Sequence, residues 1–170
     1  MGLRGGYNRT KTCDYRHSSR PDRRGQEGTM LSKTGLHAVR AMVALAQLPP
    51  AAYAGAGSIA RRISAPPNYL AKLLRLLVDQ GLVESQKGLG GGFRLARDPR
   101  TISLYDVVEP IEHLSRWSGC ILGLPACSDS APCPLHERWK AVRSAYIQML
   151  QRTTLADLVA RIPPRRKIPS

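Results

Sequence analysis

Pro66-Pro67-Asn68-Tyr69-Leu70-Ala71-Lys72-Leu73-Leu74-Arg75-Leu76-Leu77-Val78-Asp79-Gln80-Gly81, followed by Leu82-Val83-Glu84-Ser85-Gln86-Lys87-Gly88-Leu89-Gly90-Gly91-Gly92-Phe93-Arg94-Leu95-Ala96, decides the fold. Leu70, Leu73, Leu74, Leu77 and Val78 recur at i, i+3, i+4, i+7 and i+8, the stripe of a helix buried along one side. Proline suits its first turn and Gly81 its stop. Beyond Gly81, Leu82–Ser85 and Phe93–Ala96 read as two short strands around a glycine-rich tip, 86–92. Upstream, Ser58 is a good N-cap for a short helix, Ile59–Ile63. Before it, Leu36, Val39, Met42, Val43 and Ala46 mark a first helix over Lys33–Leu48, stopped by Pro49-Pro50. Helices in this order with a trailing hairpin make a winged helix-turn-helix.

Composition agrees with a partner that is a polyanion. The 170 residues hold 26 Lys and Arg against 12 Asp and Glu, a formal net charge of +14. The seven basic and three acidic residues of positions 1–29 carry only +4 of it, so the excess belongs to the rest of the chain. Hydrophobic residues are 42%, enough for a packed core, and aromatics only 5%, which argues against a stacking platform for single strands. No apolar run approaches the ~18 residues of a bilayer span. Four Cys without a secretory signal imply a reducing, cytoplasmic setting.

On the helix from Pro66, the face opposite the Leu stripe carries Asn68, Tyr69, Lys72, Arg75 and Asp79. The N-terminal residues of such a second helix reach base edges in the major groove of double-stranded DNA. Asn68 and Lys72 can address bases, and Tyr69 a phosphate or a thymine methyl. Arg61, Arg62 and Arg75 suit phosphates; Lys87 and Arg94 flank the wing and suit the minor groove or the backbone. A basic helix can also be only a solvated face, and Tyr69 can be half core.

Further along, Ser103 can cap a helix carrying Leu104, Val107, Val108 and Ile111. Residues 118–134 hold three Cys, three Pro and two Gly without periodicity, a loop. Leu135, Trp139, Val142, Tyr146, Met149 and Leu150 then mark one long helix, and Thr153 or Thr154 caps a last short one. Cys120, Cys127 and Cys133 with His136 can hold zinc or an iron–sulfur cluster, or stay reduced thiols; spacing leaves all three open. Cys13 stands alone. No catalytic Ser/His/Asp set, carboxylate pair or nucleotide loop sits in a sensible context, so the chain reads as not an enzyme.

Leu31-Ser32-Lys33-Thr34-Gly35, the Tyr69-Leu70 helix, Gly81 to Ser85, Lys87 to Ala96, Ile102-Ser103-Leu104 with Asp106-Val107-Val108, and the three-Cys loop together resemble the Rrf2 family of bacterial transcription regulators. The resemblance covers roughly residues 30–160. It implies a homodimeric repressor that senses through an iron–sulfur cluster on Cys120, Cys127 and Cys133. The Cys133-x-x-His136 ending resembles the branch with a histidine-ligated [2Fe–2S] centre. The nitric oxide-sensing branch takes an Asp where this chain has Leu36, which cannot ligate, so [2Fe–2S] is favoured over [4Fe–4S]. Two departures stand out: the first Cys gap is one residue longer, and the wing opens Lys87-Gly88 where Arg-Gly is common.

The expected architecture is mainly α with a small β-hairpin. Residues 1–29 are a disordered basic tail, upstream of a possible start at Met30, and 30–100 the winged helix-turn-helix. Residues 101–134 are a linker helix and the Cys-rich loop. The dimerisation helix and C-terminal helix span 135–162, and 163–170 is a frayed tail. A zinc site or a thiol redox switch in place of the cluster is the alternative.

Overall fold

Ser32 begins the first helix by accepting a hydrogen bond from Gly35 N at 3.1 Å. The computed structural model describes residues 30–162. The expected tails, 1–29 with Cys13 and 163–170, lie outside the described residues. Helix α1 (Lys33–Ala46) is buried on most of its circumference, with Ala38, Ala41, Met42, Val43, Ala44 and Leu45 all in the core. Its small residues permit the close approach of α2, α4, α6 and the hairpin around it.

Helix α2 (Ala56–Ile63) starts at Gly55, three residues before Ser58; the Ser58 hydroxyl donates back to Gly55 O at 3.2 Å. The Gly/Ala-rich lead-in thus folds into the helix. Ser64, in the left-handed region at φ 58°, turns the chain into α3 (Pro67–Asp79), where Pro67 occupies the first helical position. Leu70, Leu73, Leu74 and Leu77 are buried, as their spacing predicts. Gly81, at φ +67°, closes the helix with Gly81 N donating to Val78 O at 2.8 Å. Strands β1 (Val83–Gln86) and β2 (Gly92–Leu95) pair antiparallel with Val83 opposite Leu95 and Glu84 opposite Arg94. Ala54 adds a bridge to Phe93, which ties the wing to the segment leading into α2.

Helix α4 (Leu104–Glu112) opens with a reciprocal capping box between Ser103 and Asp106. A 3-10 turn, Leu114–Ser118, follows, and then the loop. Helix α5 (His136–Arg152) leads to α6 (Leu155–Arg161), which Thr154 caps with Asp157 in a second box. The fold is therefore mainly helical with one two-stranded hairpin, as expected.

Two apolar clusters result. The larger joins α1, α2, α3, the hairpin and Leu155 of α6. The smaller gathers Val108, Leu114 and Leu150, with Leu104, Tyr105, Trp117 and Tyr146 against them. The long stripe of α5 divides between two faces. Leu150 is buried and Tyr146 half-buried, but Leu135, Val142 and Met149, spaced every seven residues, stay 37%, 57% and 52% exposed.

Candidate DNA-reading face and metal-binding loop

The turn of Ser64, Ala65 and Pro66 sets α3 behind α2, with Ala65 N donating to Ala60 O at 2.9 Å. Asn68, Lys72, Arg75 and Asp79 form one exposed stripe, opposite the buried leucines. Tyr69 is half-buried, packed on the core and edge-on to His37 at 5.7 Å, so its ring serves the core as well as the surface. Arg61 is exposed, but Arg62 is not free to follow it. The Arg62 guanidinium turns to the C-terminal end of α1, donating to Gln47 Oε1 and to Ala44 O at 3.5 Å. There it meets the negative end of the helix dipole.

At the wing, Lys87 is exposed. Arg94 instead pairs with Glu84 across the ladder, with its guanidinium 4.7 Å over the Tyr53 ring. The Glu84 carboxylate holds the Arg94 pKa above its ordinary value. Both arginines are ordinary by sequence; tertiary partners alone separate them from Arg61 and Lys87.

The loop brings all four expected ligands together. The Sγ atoms of Cys120, Cys127 and Cys133 lie within 4.8 Å of one another, each half-buried. Cys120 Sγ is 3.6 Å from Cys133 Sγ, and Cys127 Sγ is 3.2 Å from His136 Nδ1. His136 Nε2 meets Asp129 Oδ1 at 2.9 Å, and Lys140 Nζ donates to the same oxygen at 2.8 Å. With Nε2–H donating to Asp129, the lone pair of Nδ1 faces the thiols, the orientation a ligating histidine needs. The Lys140 ammonium holds the Asp129 carboxyl down to about 2. Backbone amides of Leu124 and Leu122 stabilise the Cys120 thiolate and lower its pKa to about 7. The Cys133 amide lowers Cys127, but burial and the thiols of Cys133 and Cys120 outweigh it, so Cys127 is raised.

Cys120, Cys127, Cys133, His136, Asp129, Lys140 and Arg143 line an open cavity of about 260 Å³. Three thiols and an imidazole in one cavity fit a thiophilic metal group. Bonds of about 2.3 Å to sulfur put tetrahedral ligands about 3.8 Å apart. Cys120, Cys127, Cys133 and His136 would hold such a group.

Aromatic stacking anchors the loop to α5, which the spacing of residues does not reveal. Trp117 stacks on Tyr146 at 5.8 Å and on Trp139 at 6.4 Å. Trp139 Nε1 donates to Gly119 O at 3.1 Å, and Arg143 Nη1 to Trp117 O at 2.7 Å. Trp139 therefore faces its own loop. Asp129 carries no signal in the sequence, as one acid among serines.

A family model described as "Iron-dependent Transcriptional regulator", Rrf2, matches residues 31–161. This chain belongs to the Rrf2 family. It is 30% identical over 130 residues to the HTH-type transcriptional regulator IscR of Vibrio vulnificus, covering 76% of this chain and 77% of that one. Among solved structures, CymR (YrzC), the global cysteine regulator of B. subtilis, matches with a TM-score of 0.65 at 27% identity. The match covers 80% of this chain and all of CymR. IscR of T. potens matches with a TM-score of 0.63 at 29% identity over 80% and 93% of the two chains. This Rrf2 chain is a DNA-binding transcription regulator and not an enzyme. Among its described residues no helix is long and apolar enough to cross a membrane.

Proposed function

We propose that this Rrf2 chain is a homodimeric, cytoplasmic repressor that senses through an iron–sulfur cluster on Cys120, Cys127, Cys133 and His136. The observation that carries the reading is the meeting of three thiols and an oriented imidazole in one half-buried cavity. The histidine favours [2Fe–2S] over [4Fe–4S]. When bound, such a group supplies fixed bonds and charge that tie the loop to the first turn of α5. The rest is done by the chain. Trp139 and Arg143 hold the loop to α5, so rearrangement of the loop moves that helix.

The exposed heptad seam Leu135, Val142 and Met149 packs α5 against a second copy. Moving α5 then changes the spacing of the two reading helices and their fit to half-sites. Asn68 and Lys72 read bases, while Arg61, Arg75 and Lys87 hold phosphates. Arg62 and Arg94, engaged with Gln47 and Glu84, brace the domain instead.

Protein purified without oxygen should be brown and contain equimolar iron and sulfide. Cys→Ala at 120, 127 or 133 should bleach it, and His136→Ala should leave a more labile centre. The 4.8 Å span of the three thiols, with His136 Nδ1 3.2 Å from Cys127 Sγ, favours a second reading, one tetrahedral zinc ion on these four residues. Stoichiometric zinc without sulfide would establish that reading and overturn the cluster.

A further inference from the structure

The tip of the wing is a tight turn with a single side chain on it. Gly91 N donates to Gly88 O at 3.1 Å, and Gly90, at the third position, has φ +76°. That is the signature of a type II turn, which places Leu89 at its second position. Gly88, at φ +94°, also occupies the left-handed region. A Cβ on Gly91 would strike Gln86 O, and one on Gly92 would strike Ala54 O. The glycines are therefore required by close backbone packing, and the tip is braced by Ala54 and the strand ladder. Leu89 is 107% exposed at the apex, with exposed Lys87 beside it. Arg94, the other cation expected to enter a groove here, is held by Glu84 and Tyr53.

An apolar side chain on a bare glycine apex, beside one free cation, suits a narrow groove with phosphates along its rims. In the minor groove, A·T and T·A show only acceptors, whereas G·C adds the guanine N2 amino group. An apolar group packs against the first floor. Both floors present acceptors that it covers without pairing, but the second adds the protruding N2 donor, so covering it costs more. We infer that Leu89 is a specificity-determining residue that enters the operator minor groove beside the reading helix and selects A·T pairs by rejecting the guanine amino group.

The inference rests on the hairpin being the wing of a DNA-bound protein. The full chain would be used to select a duplex from a random-sequence pool. Each A·T pair flanking the half-sites would then be replaced, in turn, by G·C or by inosine·cytosine. Inosine keeps the major-groove edge of guanine and lacks its N2 amino group. At the wing position, G·C should weaken binding about tenfold, and inosine·cytosine should restore it. Leu89→Ala should bind the A·T duplex more weakly and lose the difference between G·C and inosine·cytosine. Leu89→Lys should gain affinity for all duplexes alike, with a steeper salt dependence. Because the side chain is fully exposed, these variants should fold as the parent does, which circular dichroism checks. Wild type indifferent to the N2 amino group at every flanking pair, or Leu89→Ala retaining the discrimination, overturns the inference while DNA binding stands. Failure to select any duplex overturns both.

Discussion

Around α1 and α3, Ala38, Met42, Leu70, Leu74 and Leu77 are essentially inaccessible, and the expected reading residues ride on their outer face. Around the Cys loop, Ile121, Leu122 and Leu124 are about half exposed, and order comes from a few polar contacts and stacked rings. Burial of apolar area is non-directional and cumulative, so the first region resists local change. A loop held at a few points opens at low cost. Under the proposed function, this contrast sets a fixed reading surface next to an element that can respond, as ligand control requires.

The largest expected effect tests the rigid half. Leu74→Ala should cost about 2–5 kcal/mol by opening a cavity under α3, and lower the Tm by about ten degrees or more. Leu124→Ala in the loop should stay within about 0.5 kcal/mol. Equal effects on thermal melting would erase the distinction.

Next in size is assembly. Val142→Asp puts a charge at the middle of the exposed seam of α5. Sedimentation should report monomer, with helical content kept and operator affinity lost. A tight dimer would move the interface elsewhere.

A smaller effect is expected from Trp139→Phe, which keeps the ring and removes the bond to Gly119 O. That bond contributes about 1 kcal/mol. The loop should become more sensitive to protease, and its metal should pass faster to a chelator, while Tm barely moves. Unchanged rates would mean the indole N–H does not hold the loop.

The smallest effects separate arginines. Arg61→Ala should reduce the salt slope of DNA binding by about 1 and weaken all duplexes equally, while Lys72→Ala weakens specific duplexes most. Arg62→Ala should leave the slope alone and cost thermal stability through the lost contacts to Gln47 and Ala44. A slope change in Arg62→Ala would return it to the DNA face.

Much of this was legible in the residues, and the limits are physical. The stripe Leu70 to Val78 and the glycines after it report local periodicity and turn chemistry, so α3 and the hairpin follow directly. Hairpin ends shifted by one residue, since strand limits depend on pairing with Ala54 and between strands. In α5 one apolar stripe served two faces, and only packing against Trp117 distinguishes Trp139 and Tyr146 from Val142 and Met149. Arg62 and Arg94 look like Arg61 by type; Gln47 and Glu84 lie fifteen and ten residues away and claim them only once the chain folds. The four candidate metal donors stand out by residue type, but the orientation of His136 by Asp129 appears only in the folded loop.

The most direct measurement is the operator affinity of the same anaerobic preparation before and after its metal is stripped by a chelator, at fixed salt. The two forms should differ by about tenfold or more, and Cys127→Ala should match the stripped form whether or not it is treated. Identical affinities of the loaded and stripped wild type would contradict this, because a group that binds both states alike shifts neither.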